Sequence, residues 1–169
     1  MIRVADPSRD ADACAAVYAP AVDGSHASFE EEPPSPAEMA MRIGAAHLWL
    51  VEERDGVVAG YASAGPFHER SAYRWAVSLA VYVDPAHRGR GVGRALYGAL
   101  LPELEARGYA WAMAGIALPN PGSVALHEAF GFAVVATYAG IGYKAGAWHD
   151  VVWLQRALAP RTDPPVDPR

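Results

Sequence analysis

The chain has little that could staple it or anchor it. Cys14 is its only cysteine, so neither a disulfide framework nor a cysteine-rich metal site is available, and its alanine-rich surroundings read as those of a buried, inert thiol. No apolar run reaches the length of a membrane span. Asp6, Asp10 and Asp12 precede any apolar run, which is the wrong pattern for a secretory signal, and the expected compartment is the cytoplasm. Positive charge is in deficit: 14 Lys and Arg face 19 Asp and Glu, a net charge of -5. That balance argues against a broad grip on nucleic acid, though a local basic cluster could still hold an anion. No grouping of side chains has convincing metal-ligand spacing, and no metal is expected.

What is present is the composition of one compact domain. Among 169 residues, 52% are hydrophobic and 20% charged, enough to bury a single core without staples. The domain is expected to span residues 1–158. Residues 159–169 hold Pro160, Pro164, Pro165 and Pro168 without core-forming periodicity and read as a disordered tail.

The elements alternate. Ile2–Ala5 reads as a strand, followed by Asp6 or Ser8 capping a helix to about Tyr18. Ser35-Pro36-Ala37-Glu38 combines an N-cap, a first-turn proline and a capping-box glutamate for a helix to about Ala45. Leu48–Glu53 and Val57–Ser63 form a hairpin through Asp55-Gly56. Strand Trp75–Val83 leads through a glycine-rich loop into helix Gly91–Arg107, closed by Gly108. Strand Tyr109–Ile116, helix Pro121–Phe130, and strands Phe132–Tyr138 and Asp150–Gln155 complete the chain. This order predicts an α/β fold with a mixed, mostly antiparallel sheet, helices on both faces, and a ligand near the central strand-helix-strand crossover.

The loop Arg88-Gly89-Arg90-Gly91-Val92-Gly93-Arg94 lies where backbone N–H groups and a helix dipole can cradle a phosphate. A dinucleotide fold would need glycine at position 94, and a triphosphate loop would need Gly-Lys followed by Ser or Thr; the sequence has neither. The glycines could equally serve only a tight turn, with the arginines as solvated charges. The pattern Arg-x-x-Gly-x-Gly, with Val81-Tyr82-Val83-Asp84-Pro85 before it, resembles the pyrophosphate loop of the GCN5-related N-acetyltransferase (GNAT) superfamily. The segment Asn120–Phe132 resembles that superfamily's last conserved segment.

Five stretches narrow the resemblance to the phosphinothricin/methionine sulfoximine N-acetyltransferase family: Ser28–Pro34, Gly60–Phe67, Ala114–Asn120, Val124–Glu128 and Gly142–Asp150. It covers nearly the whole chain before the tail. The resemblance implies a GNAT fold, acetyl-CoA as co-substrate, a small amino-acid-like amine as acceptor and a homodimer. It implies that Val81, Val83, residues 88–94 (Arg88, Gly89, Arg90, Gly91, Val92, Gly93 and Arg94), Asn120 and Ser123 hold acetyl-CoA. A bulge in the strand would free an amide near Val83 to polarise the thioester carbonyl. Phe29, Glu30, His68, Arg70 and Tyr73 would line the acceptor site, Arg70 gripping its anionic end through paired hydrogen bonds.

One position departs from the family. Where its strand reads Trp-x-Val-Glu, this chain reads Trp75-Ala76-Val77-Ser78, and a serine is far too weak a base to replace the glutamate. The proton is expected to go to His127 or, through water, to Glu30, because imidazole exchanges protons near neutrality. His127 is equally readable as a structural residue of its helix, and Arg70 as an exposed loop charge. His149 and Asp150, neighbours on a strand, point to opposite faces and cannot form one relay. Two other readings compete: an acetyltransferase for another small amine or peptide N-terminus, and a non-catalytic acetyl-CoA sensor motivated by Ser78.

Overall fold

A computed structural model describes all residues, Met1–Arg169. Seven strands form one sheet in the order β1-β2-β3-β4-β5-β7-β6. They are β1 Ile2–Val4, β2 Leu48–Arg54, β3 Val57–Pro66, β4 Ala76–Val83, β5 Trp111–Ala117, β6 Ala133–Lys144 and β7 Ala147–Ala157. The helices are α1 Pro7–Val22, α2 Pro36–Ala45, α3 Val92–Ala106 and α4 Pro121–Ala129. Only β4 and β5 pair in parallel; the other neighbours are antiparallel.

Alternation along the strands divides the core. Leu48, Leu50, Val77 and Leu79 face a cluster with Leu96, Tyr97, Leu100 and Leu104 of α3. Trp49, Val51 and Tyr61 face the opposite cluster with Cys14, Tyr18 and Val22 of α1 and Met39 and Ile43 of α2. Cys14 is fully buried, and desolvation pushes its thiol up to about 12. The caps expected at the helix starts are present: Asp6 accepts from the Ser8 amide, and Ser35 and Glu38 close a capping box.

Several elements outrun their sequence-based bounds, α1, β6 and β7 the most. Helix α1 continues past Tyr18 to Val22 because Pro20 falls in its last turn, where a missing amide forfeits a single bond. Strands β6 and β7 extend to meet through Ala145 and Gly146, both at positive φ, so they form one long hairpin. Beyond Ala157 no helix or strand forms. Residues of the tail nevertheless lie against the body: Trp75 Nε1 donates to the Val166 carbonyl at 2.8 Å, and Arg74 pairs with Asp167 at 3.0 Å.

Candidate active site

The sheet opens at its centre. Pairing between β4 and β5 stops after Ser78 opposite Met113; beyond it β4 continues against β3 to Val83 and β5 continues against β7 to Ala117. The β3–β4 register runs unbroken from Gly60↔Val83 to Pro66↔Val77, so the splay arises without the expected bulge on this ladder. The Asp84 amide donates to Ala59 at 3.0 Å, and alternation from that pair turns the amides of Leu79, Val81 and Val83 away from β3, toward the gap. The gap is a cleft of about 650 Å³, roofed by Val17, Ala21 and Ser25–Ala27.

One end of the cleft is built by backbone. Gly89 and Gly91 have φ of +70° and +80°, a conformation in which side chains other than glycine are strained. Gly91 caps α3 without any side-chain hydrogen bond, so the first amides of that helix point at the cleft with no partner of their own. A Cβ on Gly93 would sit 3.0 Å from Leu126 Cδ2, so α3 and α4 meet closely there. Arg88 reaches back to the Val83 carbonyl at 3.4 Å, and Arg54 braces the loop through the Arg90 carbonyl at 3.0 Å. The side chains of Arg88, Arg90 and Arg94 take part in no ion pair. On the β5 side, Asn120 caps α4 by accepting from the Ser123 amide at 3.2 Å, which leaves its NH₂ group as a donor. Uncapped amides, two left-handed glycines and unpaired arginines form a site that fits a diphosphate.

The side chains expected to do the chemistry are distributed differently. His127 is buried: its Nδ1–H donates to the Ser123 carbonyl at 2.7 Å, and its Nε2 accepts from Tyr97 Oη at 2.8 Å. Burial lowers its pKa below the ordinary value and keeps it neutral. Both nitrogens are thus committed inside the fold, which conflicts with the expectation that His127 takes the acceptor's proton. Glu30 conflicts with it as well. Arg42 binds both its oxygens, at 2.8 and 2.9 Å, and Tyr18 Oη donates to it at 2.8 Å. The Arg42 guanidinium holds the carboxyl below its usual range. Lys144 Nζ is tied to the Glu30 carbonyl.

Ser78 stands at the apex of the splay, paired with Met113 and Gly65. His68, Arg70 and Tyr73 lie on the loop between β3 and β4, and all three line a depression with Arg74, Arg107 and Asp167 rather than the cleft itself. An aromatic path connects that loop to the cleft: Tyr73 meets Phe67 at 6.0 Å, Phe67 meets Trp153 at 5.9 Å, both edge to face, and Trp153 lies against cleft-lining Gly115. Phe29 packs on Gly142 of β6 and lies 6.3 Å from His149. Trp148 is exposed, His149 turns inward and Asp150 accepts from the Gly140 amide, as strand alternation requires.

Three site features are absent from the sequence reading: Tyr97 as the partner of His127, Trp153 as the aromatic floor, and His26. The His26 ring stacks on His149 at 4.3 Å with a 10° interplanar angle, and its Nε2 contacts the Pro119 carbonyl at 2.9 Å. Its only sequence signal is a histidine in a polar linker.

The profile of the acetyltransferase (GNAT) family matches residues 16–132. The chain is 43% identical over 151 residues to a phosphinothricin N-acetyltransferase of Streptomyces viridochromogenes, covering 87% of this chain and 82% of that one. It is 41% identical over 109 residues to an L-methionine sulfoximine/L-methionine sulfone acetyltransferase of Salmonella typhimurium, 64% of each chain. Its fold superposes with a TM-score of 0.91 on a phosphinothricin acetyltransferase of Sinorhizobium meliloti solved in complex with AcCoA, at 34% identity, covering 100% of this chain and 92% of that one. Splayed sheet, glycine loop and sequence agree: the chain belongs to the GNAT acetyltransferase family and is an N-acetyltransferase.

Proposed function

We propose that the protein acetylates the α-amine of a small amino-acid-like acceptor, of the phosphinothricin, methionine sulfoximine or methionine sulfone type, with acetyl-CoA as donor. The observation that carries the donor is the parting of β4 from β5 beside the uncapped start of α3. Amides of Gly89, Gly91, Val92 and Gly93, with Arg88, Arg90 and Arg94, would hold the diphosphate. The amides of Val81 and Val83, with Asn120 and Ser123, would hold the pantetheine arm. Acetyl-CoA supplies an acetyl group on a thioester; the protein's part is to hold the acceptor amine against it and relieve that amine of a proton.

Support for the acceptor comes from the names of the relatives and from the loop after β3. Arg70 offers a fork for a carboxylate or phosphinate and Tyr73 a further donor, with the His68 ring tilted beside Tyr73 at 4.9 Å. The path from Tyr73 through Phe67 to Trp153 gives an amino-acid side chain an apolar floor leading to the cleft. Ser78 favours a second reading, a non-catalytic acetyl-CoA sensor, because no acid stands at the apex. Thiol release from acetyl-CoA, followed with phosphinothricin, methionine sulfoximine, methionine sulfone, ordinary amino acids, spermidine and a peptide N-terminus, separates them. Turnover confined to the amino-acid-like compounds supports the proposal; turnover on spermidine or the peptide redirects it, and acetyl-CoA binding without turnover leaves the sensor.

Two further features complete the reading. Tyr138, Ile141, Tyr143 and Trp148 are exposed along the β6–β7 hairpin, and burying such a patch against a second copy is the basis for a homodimer. Equilibrium sedimentation tests it, with Trp148→Glu as the disrupting variant. The reduced, buried Cys14 suits a cytoplasmic protein, and no helix is long and apolar enough to cross a membrane.

A further inference from the structure

Ser78 leaves the reaction without its acid, and the structure disqualifies the obvious replacements. His127 has both nitrogens committed, to Ser123 and Tyr97. Glu30 is closed by Arg42 and Tyr18. His149 has a carbonyl oxygen against each nitrogen, Leu118 at 3.1 Å and Lys144 at 2.9 Å, so neither nitrogen faces a substrate. His87 sits beside Asp84, at the turn into the phosphate loop.

His26 is different. Its ring lines the cleft from the roof, against the turn that carries Pro119 and Asn120. It is fixed from two directions, by the stack on His149 and by the Pro119 carbonyl. A carbonyl can only accept, so Nε2 carries the hydrogen, and Nδ1 is left with its lone pair and no partner in the protein. Donating from Nε2 leaves Nδ1 as the nitrogen that can take a proton, the same arrangement by which a second partner orients a catalytic imidazole.

Resting on the acetyltransferase reading above, we propose that His26 is the general base of this enzyme, its Nδ1 taking a proton from the acceptor's ammonium group. The proton leaves nitrogen for Nδ1, the amine keeps the lone pair with which it attacks, and the half-exposed imidazolium returns the proton to solvent. His149 lies face to face with the ring; His87, Arg88, Arg94 and His127 line the same cleft, and Tyr18, Glu30 and Lys144 are engaged with one another. Arg42 neutralises Glu30, and the titratable group in direct contact with His26 is the His149 ring.

The test pairs His26→Ala with His26→Gln, because glutamine can still donate to Pro119 but cannot hold a proton at neutral pH. Removing a general base costs roughly 100-fold or more in rate. Both variants are expected to lose about that much kcat, to lose the acidic limb of the rate profile, and to keep their acetyl-CoA affinity by calorimetry. Free imidazole should restore part of the rate to His26→Ala. Independently of turnover, ¹⁵N-histidine NMR of the free protein at alkaline pH should show the Nε2–H tautomer for His26. A His26→Gln enzyme with the wild-type rate and profile overturns the proposal, and so does an Nδ1–H tautomer. If the wild-type protein itself acetylates no amine, the functional reading fails, and the tautomer still judges the geometry assigned to His26.

Discussion

The sites proposed for donor and acceptor are built from different material. The donor site is mainly backbone: a strand end, two left-handed glycines and the start of one helix, contiguous from Val81 to Arg94, with loop arginines and Asn120 added to it. The residues proposed for the acceptor are side chains from scattered segments: His26 and Phe29 after α1, Arg70 and Tyr73 after β3, Ser78 on β4, and His149 and Trp153 on β7; of these His26 lines the cleft, and Arg70 and Tyr73 line the neighbouring depression. Backbone amides keep their aim at a diphosphate when nearby side chains change, provided the glycines stay. An acceptor site made of side chains can change its chemistry by single substitutions, and Ser78, where the family resemblance implies a glutamate, is such a change.

Asp10→Asn tests that contrast with the largest effect, because it should touch neither site directly. Asp10 is almost fully buried and takes two bonds from Arg3, at 2.6 and 2.8 Å, and one from the Asp6 amide at 2.7 Å. Breaking this pair should lower unfolding free energy by about 3 kcal/mol in urea titrations at neutral pH, with acetyl-CoA affinity of the folded protein unchanged. Arg3 holds the Asp10 pKa below its ordinary 3.8, so this stabilisation is complete above about pH 4 and is lost as pH falls through the lower folded value. His127 adds to the acid sensitivity: burial sets its folded pKa below 6.5, so its protonation favours the unfolded chain and stability erodes as pH drops below that value.

Arg70→Ala should act on the acceptor site alone. Loss of a charge-assisted grip predicts a kcat/KM for the amine lower by roughly 10- to 100-fold, with acetyl-CoA affinity intact. Gly91→Ala should act on the donor site alone. Forcing a Cβ into the left-handed region costs about 1–2 kcal/mol, so acetyl-CoA affinity measured by calorimetry should weaken roughly 5- to 30-fold while the amine KM stays put. Equal losses of both substrates in either variant would break the division. The smallest effect belongs to Tyr97→Phe, which removes the donor to His127 Nε2 and should cost about 1 kcal/mol of stability with little change in rate; a large rate loss would return His127 to the chemistry.

The same contrast explains what the sequence could disclose. Gly89, Gly91 and Asn120 act on residues within a few positions of themselves, so the loop and the α4 cap are readable as short motifs. The capping box at Ser35 is readable for the same reason. Tyr97 meets His127 across 30 residues, and His26 meets Pro119 across 93. No local spacing encodes such pairs; the sheet order that creates them, with β7 inserted between β5 and β6, is a tertiary outcome. The full β6–β7 hairpin was equally hidden, because its turn uses Ala145 in a conformation that alanine seldom adopts. Ser78 was legible as a departure, but only geometry could show that neither His127 nor Glu30 stands free to compensate.

The most direct measurement is mass spectrometry of methionine sulfone after incubation with the purified protein and acetyl-CoA, with fragmentation to locate the modification. The structure predicts a product heavier by one acetyl group, carried on the α-amine, formed in step with release of free thiol. Unmodified methionine sulfone, with phosphinothricin and methionine sulfoximine equally untouched while acetyl-CoA binds, would contradict it.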